Sequence, residues 1–327
     1  MHNKKKMLKL ENESLGYYEL GFLHIKINTD LELDNLDEII KSQSKIFSTF
    51  LHEYIHFLQN FTTTSGIYSS HFYTQFIKHA IGTIKNDPNQ KIELPLKIDE
   101  TFNRNSLIAL NSIYLGQSNF IRERVIYKGY FTIEKKITDK VNNITIKPKK
   151  YIINFINTEN YKNEEYHFGI IALKEYVAHK IQNKFLQTEH PDIPYIIAEL
   201  ILEKELPSLN DDLRILLCDA SLMSFHPARF FFNSIEKIKK TDNLKTEPQE
   251  FYKFLFEDLK FKNLEGKVSS SEEKFIEVYE DLKYDYNDMF TGTVFKNELS
   301  WCLHILEKAK NMEYLDVQFV GIYFEFY

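Results

Sequence analysis

Alternation of apolar and polar residues is confined to a few stretches of this chain. Elsewhere apolar residues recur at helical spacing. Leu23, Ile25 and Ile27 alternate with His24, Lys26 and Asn28, so residues 16–28 predict one or two strands. The period then changes. Phe47, Phe50, Leu51, Tyr54 and Leu58 fall at i, i+3, i+4, i+7 and i+11, which makes one apolar stripe. Ser48, His52, His56 and Gln59 fall on an adjacent, more polar face. Asp34 to Glu38 supplies cap residues and first-turn acids, and neither Gly nor Pro interrupts residues 35–65. The pattern predicts one helix over 35–61. Thr62 to Gly66 reads as a polar break, followed by a second helix over 67–84 that ends at Asn86-Asp87-Pro88-Asn89. Residues 99–117 are expected to be helical again.

Residues 122–156 return to alternation, with Asn142-Asn143 as a turn signal, and predict a small antiparallel sheet of two to four strands. From Phe168 onward helical spacing resumes over 168–187, 194–205, 210–240, 248–260, 271–290 and 294–312, punctuated by prolines. Residues 316–327 read as a terminal strand that could pair with 16–28. No repeat or low-complexity linker divides the chain. The expected class is α+β, predominantly helical, in a single domain over 1–327. It has a small N-terminal β-sheet, an antiparallel β-insertion at 122–156 and a mainly helical C-terminal half.

Composition sharpens this picture in three ways. Aromatics make up 15% of the 327 residues, so the core is aromatic-rich, and only 10 Gly and 8 Pro favour long helices over many short strands. The net charge of −6 gives no global signal for nucleic acid. Locally, nine Lys/Arg face three acids between Arg122 and Lys150, which reads as a solvated face or as a docking surface for an acidic partner or nucleic acid. Two cysteines, Cys218 and Cys302, form no disulfide framework and fit a reducing compartment. With no apolar signal-peptide core and no stretch of about 18 apolar residues, a cytoplasmic protein without a membrane span is the expectation.

Candidate chemistry centres on Leu51-His52-Glu53-Tyr54-Ile55-His56, an H-E-x-x-H run. Residues four apart share a helix face, so both imidazoles could close on one metal ion, with Glu53 beside them to act on an activated water. Two His do not complete a catalytic zinc site, which usually takes three protein ligands. An H-E-x-x-H-x-x-G-x-x-H pattern is excluded by Gln59 and Thr62, and residues 57–86 contain no Asp or Glu. His71 and His79 read as polar positions on the second helix. Glu175 is the better third ligand, on an otherwise largely apolar helix with the small neighbours Ala172 and Ala178, and Glu199 and Asp219 are its rivals. On another apolar helix, Asp219 could instead orient a ligating His, and His226 lies just before Pro227, where a cap is the plainer role.

The pair of motifs, His52-Glu53-x-x-His56 and a Glu on a later helix at Glu175, resembles the gluzincin group of zinc metallopeptidases. The resemblance covers about thirty residues and assigns no particular family. It implies a zincin-like core, Zn²⁺ as cofactor, Glu53 as general base, and a protein or peptide substrate. It also implies a Tyr or His that holds the developing oxyanion, for which Tyr166, His167, His179 and His226 are candidates. Two other functions remain open on sequence: a non-catalytic zincin-like binding protein, and a metal-dependent hydrolase of a non-peptide amide.

Overall fold

The computed structural model describes residues 16–19, 24–28, 45–85, 104–139, 144–257, 260–262, 268–294 and 296–314. They form an α+β, mostly helical structure. The expected strand at 316–327 and the first ten residues of the helix expected at 35–61 lie outside the described residues.

Strands β1 (Gly16–Glu19) and β2 (His24–Ile27) make an antiparallel hairpin, with Gly16 opposite Ile27, that packs on helix α1 (Lys45–Thr62). Helix α2 (Thr64–Lys85) follows after a single non-helical residue, so the polar break is shorter than expected. Thr63 caps α2: its carbonyl accepts from Ile67 N and its hydroxyl from Gly66 N. The two helices meet so closely at Gly66 that a Cβ there would lie 2.1 Å from the Gln59 carbonyl oxygen. Only glycine fits this contact.

Helix α3 (Arg104–Leu115) leads to the sheet. Strands β3 (Val125–Glu134), β6 (Lys149–Asn157) and β7 (Lys162–Phe168) pair antiparallel in that order, and β4 (Ile137–Asp139) with β5 (Ile144–Ile146) forms a separate two-stranded tip. The sheet reaches past the expected limit at 156, because β7 runs to the start of the next helix. Period-2 alternation puts Val125, Tyr127, Tyr151, Ile153, Phe155, Tyr166 and Phe168 on an inner face that belongs to the main core. Part of the basic skew is neutralised from outside the window: Arg122 pairs with Glu164 and Arg124 with Asp192.

Helix α4 (Ile170–Phe185) is the centre of that core. It packs against α1, α3, α6 (Asp211–Leu222), α5 (Ile197–Glu205) and α7 (Pro227–Lys239). Helix α8 (Pro248–Phe256) covers α6. The expected helix over 210–240 is two helices, broken before Pro227, where His226 is the N-cap. A short hairpin, β8 (Phe261–Lys262) and β9 (Val268–Ser269), precedes helices α9 (Ser271–Phe290) and α10 (Lys296–Tyr314). These two helices build a second apolar cluster with Phe61 of α1 and Ile67 of α2. Helix α1 therefore bridges both clusters, with Ile55 in the first and Phe61 in the second.

Helix α1 buries a mixed face: Ser48 and Gln59 are 0% exposed, Thr49, His52, Glu53 and Asn60 are buried with the apolar Ile55 and Phe61, Leu51 and Leu58 pack against the main core, and Tyr54 is 39% exposed. The buried polar groups find partners on α4, where Gln182 meets His52 and Ser48 and the Lys174 carbonyl meets Gln59. Among the described residues no helix is long and apolar enough to cross a membrane.

Candidate metal centre

Helices α1 and α4 bring together three side chains. His52 Nε2 lies 3.1 Å from Glu175 Oε2, His56 Nε2 lies 3.4 Å from the same oxygen, and the two Nε2 atoms are 3.1 Å apart. A tetrahedral zinc site with bonds of about 2.0–2.1 Å has ligand–ligand edges of roughly 3.3–3.4 Å. The three atoms are therefore spaced like three corners of such a site. Among the described residues this is the one group of His, Cys, Asp and Glu able to hold a metal ion.

The other ring nitrogens explain the orientation. His56 Nδ1 is 3.0 Å from Gln59 Oε1, and Gln59 Nε2 donates to the Lys174 carbonyl at 3.4 Å. A carbonyl only accepts, so the Gln59 amide must turn its NH₂ to Lys174 and its oxygen to His56. His52 Nδ1 is 3.2 Å from Gln182 Oε1, whose amide nitrogen donates to Ser48 Oγ at 2.9 Å. The Lys174 carbonyl thereby fixes the His56 proton on Nδ1 and leaves its Nε2 lone pair toward Glu175, and His52 Nδ1 faces the Gln182 amide oxygen in the same way. Two lone pairs and a carboxylate facing one point repel one another unless a proton or a metal cation sits among them. Lys174, next to Glu175, ties α4 to α1 through Asn60 Oδ1. Burial lowers its ammonium to about 8 against the opposing effect of Glu175.

Electrostatics follow from the same contacts. Burial works to raise the Glu175 carboxyl, but the His56 and His52 rings outweigh it and hold the group well below the usual carboxylate range. Burial disfavours charge on His56, and the Glu175 and Glu53 carboxylates reverse that, raising it above the ordinary histidine value. Glu53 is raised by burial, against the pull of His56 and His52. A backbone hydrogen bond from Tyr18 of β1 reaches it. Glu53 and His52 line an open cleft of about 580 Å³.

The opposite side of that cleft comes from residues that sequence reasoning missed. Tyr195 lies 6.0 Å from the His52 ring and 4.6 Å from the His190 ring, centroid to centroid, and His190 is stacked at 6.2 Å from His52. Both Tyr195 and His190 line the cleft. They sit around one irregular turn, Asp192–Ile196, which is clamped to the lead-in of β3. Arg122 and Ile193 exchange backbone hydrogen bonds, and Asp192 accepts from Val125 N at 2.7 Å. Burial, with the Glu175 and Glu53 carboxylates nearby, keeps the Tyr195 phenol protonated well above its ordinary value, so it remains a donor. Nothing in the local pattern marks these two residues. Gln182 did leave a signal, since Glu175, His179 and Gln182 stand at i, i+4 and i+7 on one helix face.

The remaining candidates lie as follows. His179 is buried under this cluster, 4.8 Å from the His190 ring, with Nε2 against Asn183. Burial and the neighbouring His190 and His52 hold it neutral at about 3. It supports the rings that line the cleft and does not line the cleft itself. Tyr166 is fully buried on β7 with its hydroxyl unpartnered, close enough to Glu175 for the carboxylate to raise it further after burial. Asp219 stands apart: it is buried in α6, burial alone raises it to about 7, and Oδ1 has no partner. His226 caps α7 and donates from Nε2 to the Lys149 carbonyl at 2.7 Å, in a different cleft. Glu199 is paired with Lys180 at 2.7 Å, and His71 lies 2.9 Å from Asp285 of α9. No family model, curated protein or solved structure matches this chain.

Proposed function

We propose that this protein is a zinc-dependent peptidase with a zincin-like core of the gluzincin type. The observation that carries the reading is the convergence of His52 Nε2, His56 Nε2 and Glu175 Oε2 at tetrahedral spacing, with Glu53 beside them on the wall of an open cleft. Two imidazole nitrogens and one carboxylate oxygen are a zinc donor set, and three ligands leave a fourth position for chemistry. When bound there, zinc supplies Lewis acidity, acidifying water and polarising a carbonyl.

The chain's own groups do the rest. Gln59 and Gln182 fix the tautomer and direction of the two imidazoles. Glu53, its carboxyl raised by burial, takes the proton of the attacking water and passes it to the leaving amine. Tyr195 donates its phenolic hydrogen to the oxygen that gains charge in the transition state, in place of the donors expected from sequence. Strand β1 favours a peptide as substrate. Its Gly16 lines the cleft, and among the described residues it pairs on one edge only. The two cysteines are buried and unpaired, which supports a reducing, cytoplasmic setting.

The test is Glu53→Gln, which keeps the shape and removes the proton acceptor. Zinc content by elemental analysis should stay at the wild-type level while peptide hydrolysis falls by about 10²–10⁴. Full hydrolysis in the variant would refute the general-base role. Wild-type protein that neither carries nor binds zinc would refute the whole reading.

A further inference from the structure

His190 and Tyr195 stand together on one wall of the cleft at the metal centre. A chain of hydrogen bonds behind that wall fixes which ring nitrogen of His190 carries the proton. It starts at a backbone group, which can only donate. Thr188 N donates to Asn183 Oδ1 at 3.0 Å, so that atom is the amide oxygen. An amide oxygen only accepts, so the Thr188 hydroxyl, 2.8 Å from it, gives its single hydrogen there. The same hydroxyl oxygen lies 3.0 Å from His190 Nε2 and has no hydrogen left to offer. The ring must be the donor, and His190 carries its proton on Nε2.

Nδ1 is then a lone pair. His190 is half-buried and lines the cleft, and its Nδ1 has no hydrogen-bond partner among the described residues and is not sealed from solvent. At pH 8 a histidine of ordinary basicity is already neutral. Burial and the neighbouring His52 lower His190 further, against the pull of Glu175. The ring therefore offers an acceptor to the cleft. Beside it stands a donor, the Tyr195 phenol, with the two ring centroids 4.6 Å apart. A donor next to an acceptor matches one residue of an extended chain, because the N–H and C=O of a single strand residue point to the same side. With the attacked carbonyl at Tyr195, the N–H facing His190 belongs to the residue that supplies this carbonyl.

We propose that His190 selects the substrate: its Nδ1 accepts the backbone N–H of the residue whose carbonyl is attacked, so the cleft takes residues that carry this N–H and disfavours proline or an N-methylated residue at that position. The inference rests on the peptidase reading and narrows it to a class of peptide bond.

The experiment uses the full chain loaded with zinc, at pH 8, and two peptides. One is a peptide that the wild type hydrolyses, and the other carries a single added N-methyl group on the residue whose carbonyl is attacked. N-methylation also changes the peptide's own conformation, so the quantity read is the preference in the wild type divided by the preference in His190→Phe, which keeps a ring in the wall and removes the acceptor. That quotient of kcat/KM ratios should be about tenfold, appearing mainly as a rise in KM, with zinc content unchanged. Equal preferences in the two proteins would overturn the proposal. A second readout is independent of activity: nitrogen-15 spectra of the histidine-labelled wild type, assigned through the His190 backbone, should show the ring proton on Nε2, and a proton on Nδ1 also overturns it. Should His190→Phe fail to fold, Thr188→Val takes its place. It removes the acceptor of the Nε2 proton, so it should mix the two tautomers and reduce the preference, and an unchanged preference counts against the proposal. Zinc-loaded wild type that hydrolyses no peptide refutes the peptidase reading and this inference together, whereas hydrolysis with equal preferences refutes the inference alone.

Discussion

Replacing Gln59 by Leu isolates what an outer partner does for a candidate metal ligand. Gln59 is fully buried, does not line the cleft at His52, and holds His56 Nδ1 at 3.0 Å while donating to the Lys174 carbonyl. Leucine nearly fills the same space but offers neither hydrogen bond. The His56 N–H and the Lys174 carbonyl are then stranded, at a cost of about 1–3 kcal/mol for each buried group left unpaired. The ring also loses its fixed tautomer and direction. Loss of such a partner typically weakens metal affinity by about 10–100-fold, which is about 1.4–2.7 kcal/mol. The two effects separate experimentally. Competition with a zinc-binding dye should show the affinity loss, and thermal unfolding of chelator-treated protein should show the metal-independent cost. Zinc-linked stabilisation, the difference between loaded and stripped protein, should shrink by the same 1.4–2.7 kcal/mol. A correctly folded Gln59→Leu protein that binds zinc as tightly as wild type would refute the claim that this amide orients His56 for a metal.

Three further outcomes follow from other contacts. Tyr195→Phe should lower kcat for peptide hydrolysis by about 10²–10³ with zinc content unchanged, because only the transition-state donor is lost, and unchanged kcat would remove Tyr195 from the mechanism. Asp219→Asn tests the buried carboxyl raised from an ordinary 3.8 to about 7. A folded value above the unfolded one means stability that is present below about pH 4 and lost as pH rises to about 7, on the order of 4 kcal/mol. Denaturant unfolding should show the wild type losing stability across that window and Asp219→Asn flatter and more stable at pH 7, and identical pH profiles would contradict it. Gly66→Ala would drive a Cβ to 2.1 Å from the Gln59 carbonyl oxygen, so it should destabilise by about 3 kcal/mol or more and weaken zinc binding through Gln59. A wild-type melting temperature would show that α1 and α2 can separate there.

Local spacing by itself determined much of this protein. It set which residues share a face: Ser48, His52, His56 and Gln59 on α1, and Glu175, His179 and Gln182 on α4. It also placed most helix boundaries within a few residues, since caps, prolines and periodicity act over one or two turns. It did not reveal which face would be buried. Tyr54 of the apolar stripe is exposed while Leu51 and Leu58 pack on the core, and the polar stripe meets α4, where Glu175, Gln182 and the Lys174 carbonyl are its partners. These partners stand 115 to 130 residues away in sequence, and no local pattern encodes a contact over that distance. The same limit hid Tyr195 and His190. An irregular turn carries no periodicity, and its position over His52 is set by a backbone bridge to Arg122 and by the Asp192 carboxylate on Val125 N. Sequence determined the candidate ligand types and the helix that presents two of them. Tertiary packing alone decided which distant groups complete, orient and face them, because hydrogen bonds between elements form only once the apolar core has brought those elements together.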